Sequence, residues 1–123
     1  MTITQAISRC DTAKPNQYMH SEKIGWLNFL DGMIFNEIIK THEGADTVEF
    51  DEYTEETDGN TVLLVPDPYS DLYLYYMFSM IDFHNAEYSR YNNSILMFNN
   101  AFVNFEAYYN RRHPPLQNNN IRL

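Results

Sequence analysis

The chain is short of cysteine, glycine and basic residues: one Cys, four Gly and eight Lys or Arg in 123 residues. A single thiol, Cys10, excludes a disulfide within the chain. With the polar start MTITQAISRCDTAKP, which is no signal peptide, it points to a reducing, cytoplasmic setting for assembly. Glycine occurs only at positions 25, 32, 44 and 59, too sparsely for a phosphate-cradling loop. No apolar run approaches the ~18 to 20 residues of a membrane helix, so no membrane partner is expected. Bases form no stripe, which argues against a general nucleic-acid binder. They are missing altogether from residues 43–58, which hold eight acids: Glu43, Asp46, Glu49, Asp51, Glu52, Glu55, Glu56 and Asp58. The other nine acids face eight bases, so the net charge of −9 is one acidic excursion on a nearly neutral chain. Its plainest reading is a solvated loop. The length fits one domain, burying ~65% of the surface its unfolded chain exposes.

What is present is helical periodicity and aromatic surface. Thr2 and Gln5 form a capping box opening a helix over residues 3–11, which should stop before Lys14-Pro15. Ser21 is a good N-cap for a second helix. Its apolar positions Ile24, Leu27, Leu30, Ile34 and Ile38 recur at three- and four-residue steps, widened by Trp26, Phe29, Met33 and Phe35. Gly25 or Gly32 marks a close helix approach, and Gly44 is the expected stop. Residues 45–66 lose the helical period. VEFDEY and TVLLV flank the turn residues Asp58-Gly59, giving a β-hairpin or an extended acidic loop. Asp67 as N-cap and Pro68 at the first helical position open a long helix over residues 68–90. Tyr69, Leu72, Tyr76, Met80 and Phe83 line one face, while Tyr75, Phe78 and Ile81 lie off it. A helix apolar on two faces must bury both, and the second is expected to meet another subunit. Asn92-Asn93 breaks the period. A fourth helix over residues 93–111 carries Ile95, Phe98, Phe102, Phe105 and Tyr109 at the spacing of a helix–helix seam, making an αα-hairpin. RRHPPLQNNNIRL has no period and reads as an extended tail.

The fold class expected is therefore mainly α. It is a small helical bundle with a long αα-hairpin, an acidic hairpin or loop between the second and third helices, and an extended C-terminal tail. Residues 1–111 form the domain and 112–123 the tail.

Chemistry is scarce. Asp82, His84 and Glu87 share one stretch, but no paired Glu-x-x-His helix accompanies them, and a surface histidine beside a carboxylate explains them. Cys10 has no activating partner beyond Arg9 and Lys14. The serines lack a nucleophile-elbow context. No cofactor, metal or catalytic residue is expected, and the chain reads as a non-enzyme. Eight of the ten tyrosines lie in the last two helices and their junction. Tyrosine supplies large contact area with few rotors. Tyr88 and Tyr91 at the junction therefore join Tyr75, Phe78 and Ile81 as subunit-interface candidates. Stacking on single-stranded bases would need a basic groove alongside.

The order of these pieces, and above all LLVPDPYSDLYLYY at residues 63–76, the NAEYSRYNNS run and YYNRRHPP, resembles the head–tail connector proteins of long-tailed phages and prophages of Gram-positive bacteria. These are also called adaptor or head-completion proteins. The resemblance covers almost the whole chain. It implies a helical subunit of a ring, twelve copies in such adaptors, seated in the virion neck beneath the portal. The ring would extend the DNA channel and receive a stopper or tail-completion protein, with DNA passing through unread. It also implies that the C-terminal segment docks on the portal. Here that segment is Arg111, Arg112, His113, Pro114, Pro115 and Leu116, on through Ile121, Arg122 and Leu123. Glu49, Asp51, Glu52, Glu55, Glu56 and Asp58 would then face the channel or the tail side, where like charge keeps a moving polyanion from sticking. The alternative is an acidic DNA mimic that inhibits a DNA-binding enzyme, although a mimic should spread carboxylates along a face rather than gather them in one segment.

Overall fold

Thr2 caps the first helix as its side chain dictates. Its hydroxyl accepts from the Gln5 amide at 3.1 Å while the Gln5 side chain takes the Thr2 amide at 2.9 Å. The computed structural model describes residues 1–116. Its helices are α1 (Ile3–Ala13), α2 (His20–Glu37), α3 (Leu72–His84) and α4 (Tyr88–Arg112), with short 3-10 turns at Ile39–Thr41 and Ala45–Thr47. The mainly helical bundle expected from sequence is the observed fold. Residues 117–123 lie outside the described part.

The periodic stripe of α2 is the centre of the core: Ile24, Leu27, Leu30, Ile34 and Ile38 are all buried, against Ile3, Ala6, Ile7 and Cys10 of α1. Burial pushes the Cys10 thiol up to about 11, with Asp11 adding to it, so this cysteine packs as a small hydrophobe. Phe29 departs from the stripe and stands exposed. Met19, not Ser21, precedes the first turn of α2, without a side-chain cap. The helix stops at Glu37 and passes through the 3-10 turn at Ile39–Thr41 before Gly44 takes a φ of 87°. Neither Gly25 nor Gly32 marks a helix–helix contact. A Cβ at Gly25 would meet open space, and one at Gly32 only the Phe50 ring.

The acidic stretch is the extended loop of the two alternatives. Among the described residues no β-ladder forms, only the isolated bridges Thr2↔Val62 and His42↔Pro115. Residues 59–63 instead lie along the entry to α1: the Ile3 amide donates to Thr61, the Thr4 amide to Gly59 and the Leu63 amide to Met1.

The third helix is shorter than its pattern predicts at both ends. Asp67 is not its N-cap, because its carboxylate takes the Ser70 hydroxyl, and α3 begins at Leu72 after Asp71. It ends at His84, with Ala86 at φ 58°. The hairpin turn is therefore Asn85-Ala86-Glu87, and Asn92-Asn93 lie inside α4. Of the residues read as the second face of α3, Ile81 is buried within this chain beside Leu74 and Met77, where α3 packs on α1 and α2, whereas Tyr75 and Phe78 stay half-buried. The side toward Tyr76 meets α4, with Tyr76 and Phe98 rings 5.3 Å apart.

Candidate docking surfaces

A buried carboxylate fastens the acidic loop to the body. Asp31 of α2 is wholly buried. Its Oδ2 accepts from the Tyr53 hydroxyl at 2.6 Å and the Leu64 amide at 3.1 Å, and its Oδ1 from the Tyr73 hydroxyl at 2.6 Å. Tyr73 in turn accepts from the Val65 amide at 2.8 Å. Burial raises the Asp31 carboxyl above its ordinary range, opposed by the three hydrogen bonds. Burial together with the Asp31 charge raises both tyrosines. No sequence motif marked this hub. The one available signal was that Asp31 stands four residues after Leu27 and three before Ile34, on the apolar stripe of α2. With Tyr53 anchored, the loop holds its charges outward: Glu49, Asp51, Glu52, Glu55, Glu56 and Asp58 are all exposed. Glu49, Asp51 and Glu52 rim a hollow of about 330 Å³ floored by Phe50, Tyr53 and Leu64.

A second hub ties the hairpin to α1. Asp82, also buried, takes Lys14 Nζ and the Ser94 hydroxyl, each at 2.7 Å. His84 is used as a ring: it stacks on Trp26 at 5.9 Å, so the histidine–carboxylate stretch weighed above is packing. Among the described residues no group of three or more His, Cys, Asp or Glu is placed to hold a metal ion.

The αα-hairpin is the most exposed element. Of the helices, α4 packs only against α3. At ~1.5 Å per residue its 25 residues overhang the 13 of α3. The overhang rests on loops, with the Tyr108 ring tilted against Tyr69 at 4.6 Å and Tyr109 set edge-on 5.2 Å from His42. Only Phe98, Phe105 and Tyr109 of α4 are buried, while Tyr88, Leu96, Met97 and Val103 are exposed. Beside Met97 runs a groove of about 580 Å³ lined by Tyr69, Tyr75, Asn104 and Arg111.

The interface candidates divide accordingly. Ile81 is 1% exposed and belongs to the core, so it is withdrawn as an interface residue. Tyr75, Phe78 and Tyr91 are half-buried and Tyr88 is exposed. Leu96, Met97 and Val103 were missed, because the seam Ile95, Phe98, Phe102, Phe105 and Tyr109 claimed the apolar signal of that helix.

The start of the tail does not project. Arg111 and Arg112 are the last, exposed residues of α4, Arg112 lying 5.6 Å from the Tyr108 ring centre. His113 stacks on Tyr109 with centroids 4.1 Å apart. The chain then turns back, with Pro114 O accepting from the Glu43 amide at 2.9 Å and the Leu116 amide donating to Thr41 O at 2.8 Å. The division of the tail at 112 is therefore moved, since residues 113–116 pack on the domain. Ile121, Arg122 and Leu123 lie outside the described residues. No family model, curated protein or solved structure matches this chain.

Proposed function

We propose that this chain is a structural connector subunit of a phage or prophage neck. Copies would join side by side into a ring between the portal and a stopper or tail-completion protein, and the ring would extend the DNA channel. The observation that carries the reading is the outer face of α4. A helix of 25 residues packs on one other helix and leaves Tyr88, Leu96, Met97 and Val103 in solvent, a face that a neighbouring subunit would cover. The resemblance at residues 63–76 supplies the role. The outward acids of the loop suit a channel wall or a tail-side rim and repel DNA rather than hold it. Rings need two different patches per subunit, and the Leu96 and Val103 side of α4 together with the groove lined by Tyr69 and Tyr75 offers two.

The test is to mix the purified chain with the portal ring encoded beside it and image the complex by electron microscopy. A second ring stacked on the portal is the expected result. Absence of any association near physiological salt would overturn the reading.

A further inference from the structure

We propose that residues 114–116 form an arm that exchanges between copies, each chain laying its arm in the 41–44 corner of the next. The proposal rests on the self-association part of the reading above and does not need portal docking.

The corner is a receptor built independently of the arm. The 3-10 turn at Ile39–Thr41 ends on an extended His42 (φ −123°, ψ 159°), which presents the Thr41 carbonyl and the Glu43 amide to the same passing strand. Beneath them His42 is buried, its ring meeting the Ile38 carbonyl and the Asn110 side chain, so α4 of its own chain clamps it. None of these contacts uses residues 114–116. The corner therefore persists when the arm leaves, with one carbonyl and one amide open to an extended strand.

The arm suits exchange. It is held by the two backbone hydrogen bonds of the His42↔Pro115 bridge, and it places no side chain in the core. Pro114, Pro115 and Leu116 are exposed, Leu116 by 53%. Closing on its own chain also leaves His113 Nδ1 buried without a partner among the described residues, a cost that an exchanged arm would relieve. Two consecutive prolines stiffen the arm and lower the entropy lost when it pairs. The occupant is a second copy because the corner is already complementary to this sequence in this register. Exchange replaces each contact with its equivalent, so concentration decides it. The exposed face of α4, the helix from which the arm springs, would bring copies together. Each chain gives one arm and receives one, a head-to-tail contact that forms a ring where the rotation between neighbours closes.

Thr41 and Leu116 oppose each other across the bridge and both are exposed. Thr41→Cys with Leu116→Cys on one full-length chain gives up the Thr41 hydroxyl contacts to the Glu37 and Ile38 carbonyls, so its circular dichroism and melting temperature are first matched to those of the Leu116→Cys chain. The concentrated variant is incubated in a glutathione redox buffer, where collisional disulfides reverse, and run on a denaturing gel. Expected is a ladder of covalent dimers and larger species whose share rises several-fold with a tenfold rise in concentration. Disulfides confined to single chains would overturn the proposal, and so would thiols left free at both positions. Light scattering on the unaltered chain separates the two readings. Oligomers without a ladder sink the exchange and leave self-association standing, whereas a ladder from a chain that fails to join the portal keeps the exchange and sinks the docking.

Discussion

Asp31 accepts from three donors, and all three are neutral: two tyrosine hydroxyls and a backbone amide. Such a carboxylate is held by hydrogen bonds alone, and removing a donor leaves the rest to bear its desolvation. Tyr73→Phe removes one donor from Asp31 and also leaves the buried Val65 amide without its acceptor. It should cost about 2 kcal/mol in urea unfolding, and an unchanged midpoint would show that this hub contributes nothing. Asp31→Asn tests the charge itself. Because the folded-state pKa of Asp31 lies above its ordinary value, the folded chain holds the proton more tightly than the unfolded one. The stability this contributes is complete below the unfolded value of 3.8 and is lost as pH rises through the folded value. Asparagine does not titrate, so the stability advantage of the parent chain over the asparagine variant should shrink as pH rises above the unfolded value of 3.8. A constant or growing advantage would reverse the assignment. Sequence made the stripe around Asp31 legible, but not Asp31 itself, since nothing local distinguishes a buried acid from one merely crossing the stripe.

At the scale of elements, legibility followed the signals that act locally. The capping box of α1 and the stripe of α2 lie where the sequence puts them, because both depend on residues three and four apart. The ends of α3 do not. Its C-terminus is closed by a Schellman motif, with the Glu87 amide donating to Asp82 O at 2.9 Å and the Ala86 amide to Phe83 O at 3.0 Å. The left-handed residue of that motif is Ala86 rather than glycine or asparagine, so the stop carries no sequence mark. The Asn92-Asn93 pair, a better breaker on paper, is carried through inside α4 because the helix is fixed further along by Phe98 and Phe105. Ala86→Gly should therefore stabilise the chain by about 0.5–1 kcal/mol, the Cβ strain relieved less the backbone entropy added to the unfolded state. Thermal unfolding checks it, and a loss of stability would mean that the turn is not strained.

At the scale of the molecule, the sequence reads two faces on α3 to bury, and the chain itself covers only part of the second: Ile81 is buried, Tyr75 and Phe78 are half-buried. Periodicity reports how much of a helix must be covered, not whether the cover belongs to the same chain. Here α1 and α2 supply part of it, and the most exposed apolar residues lie on α4. Leu96 and Val103, seven residues apart and so on one side of the helix, are 57% and 59% exposed. Neither contributes to the core, so Leu96→Glu with Val103→Glu should leave the melting temperature within about 3 °C of the parent chain. If that side of α4 is where subunits meet, the same pair places two charges in an apolar contact, whose burial is costly without partners. Self-association by light scattering should then weaken at least tenfold, and portal-docked rings should fail to close. Unchanged association would move the subunit contact elsewhere, to the groove lined by Tyr69 and Tyr75 or to the hairpin junction. A large drop in melting temperature would instead show that α4 is held through these residues from within its own chain.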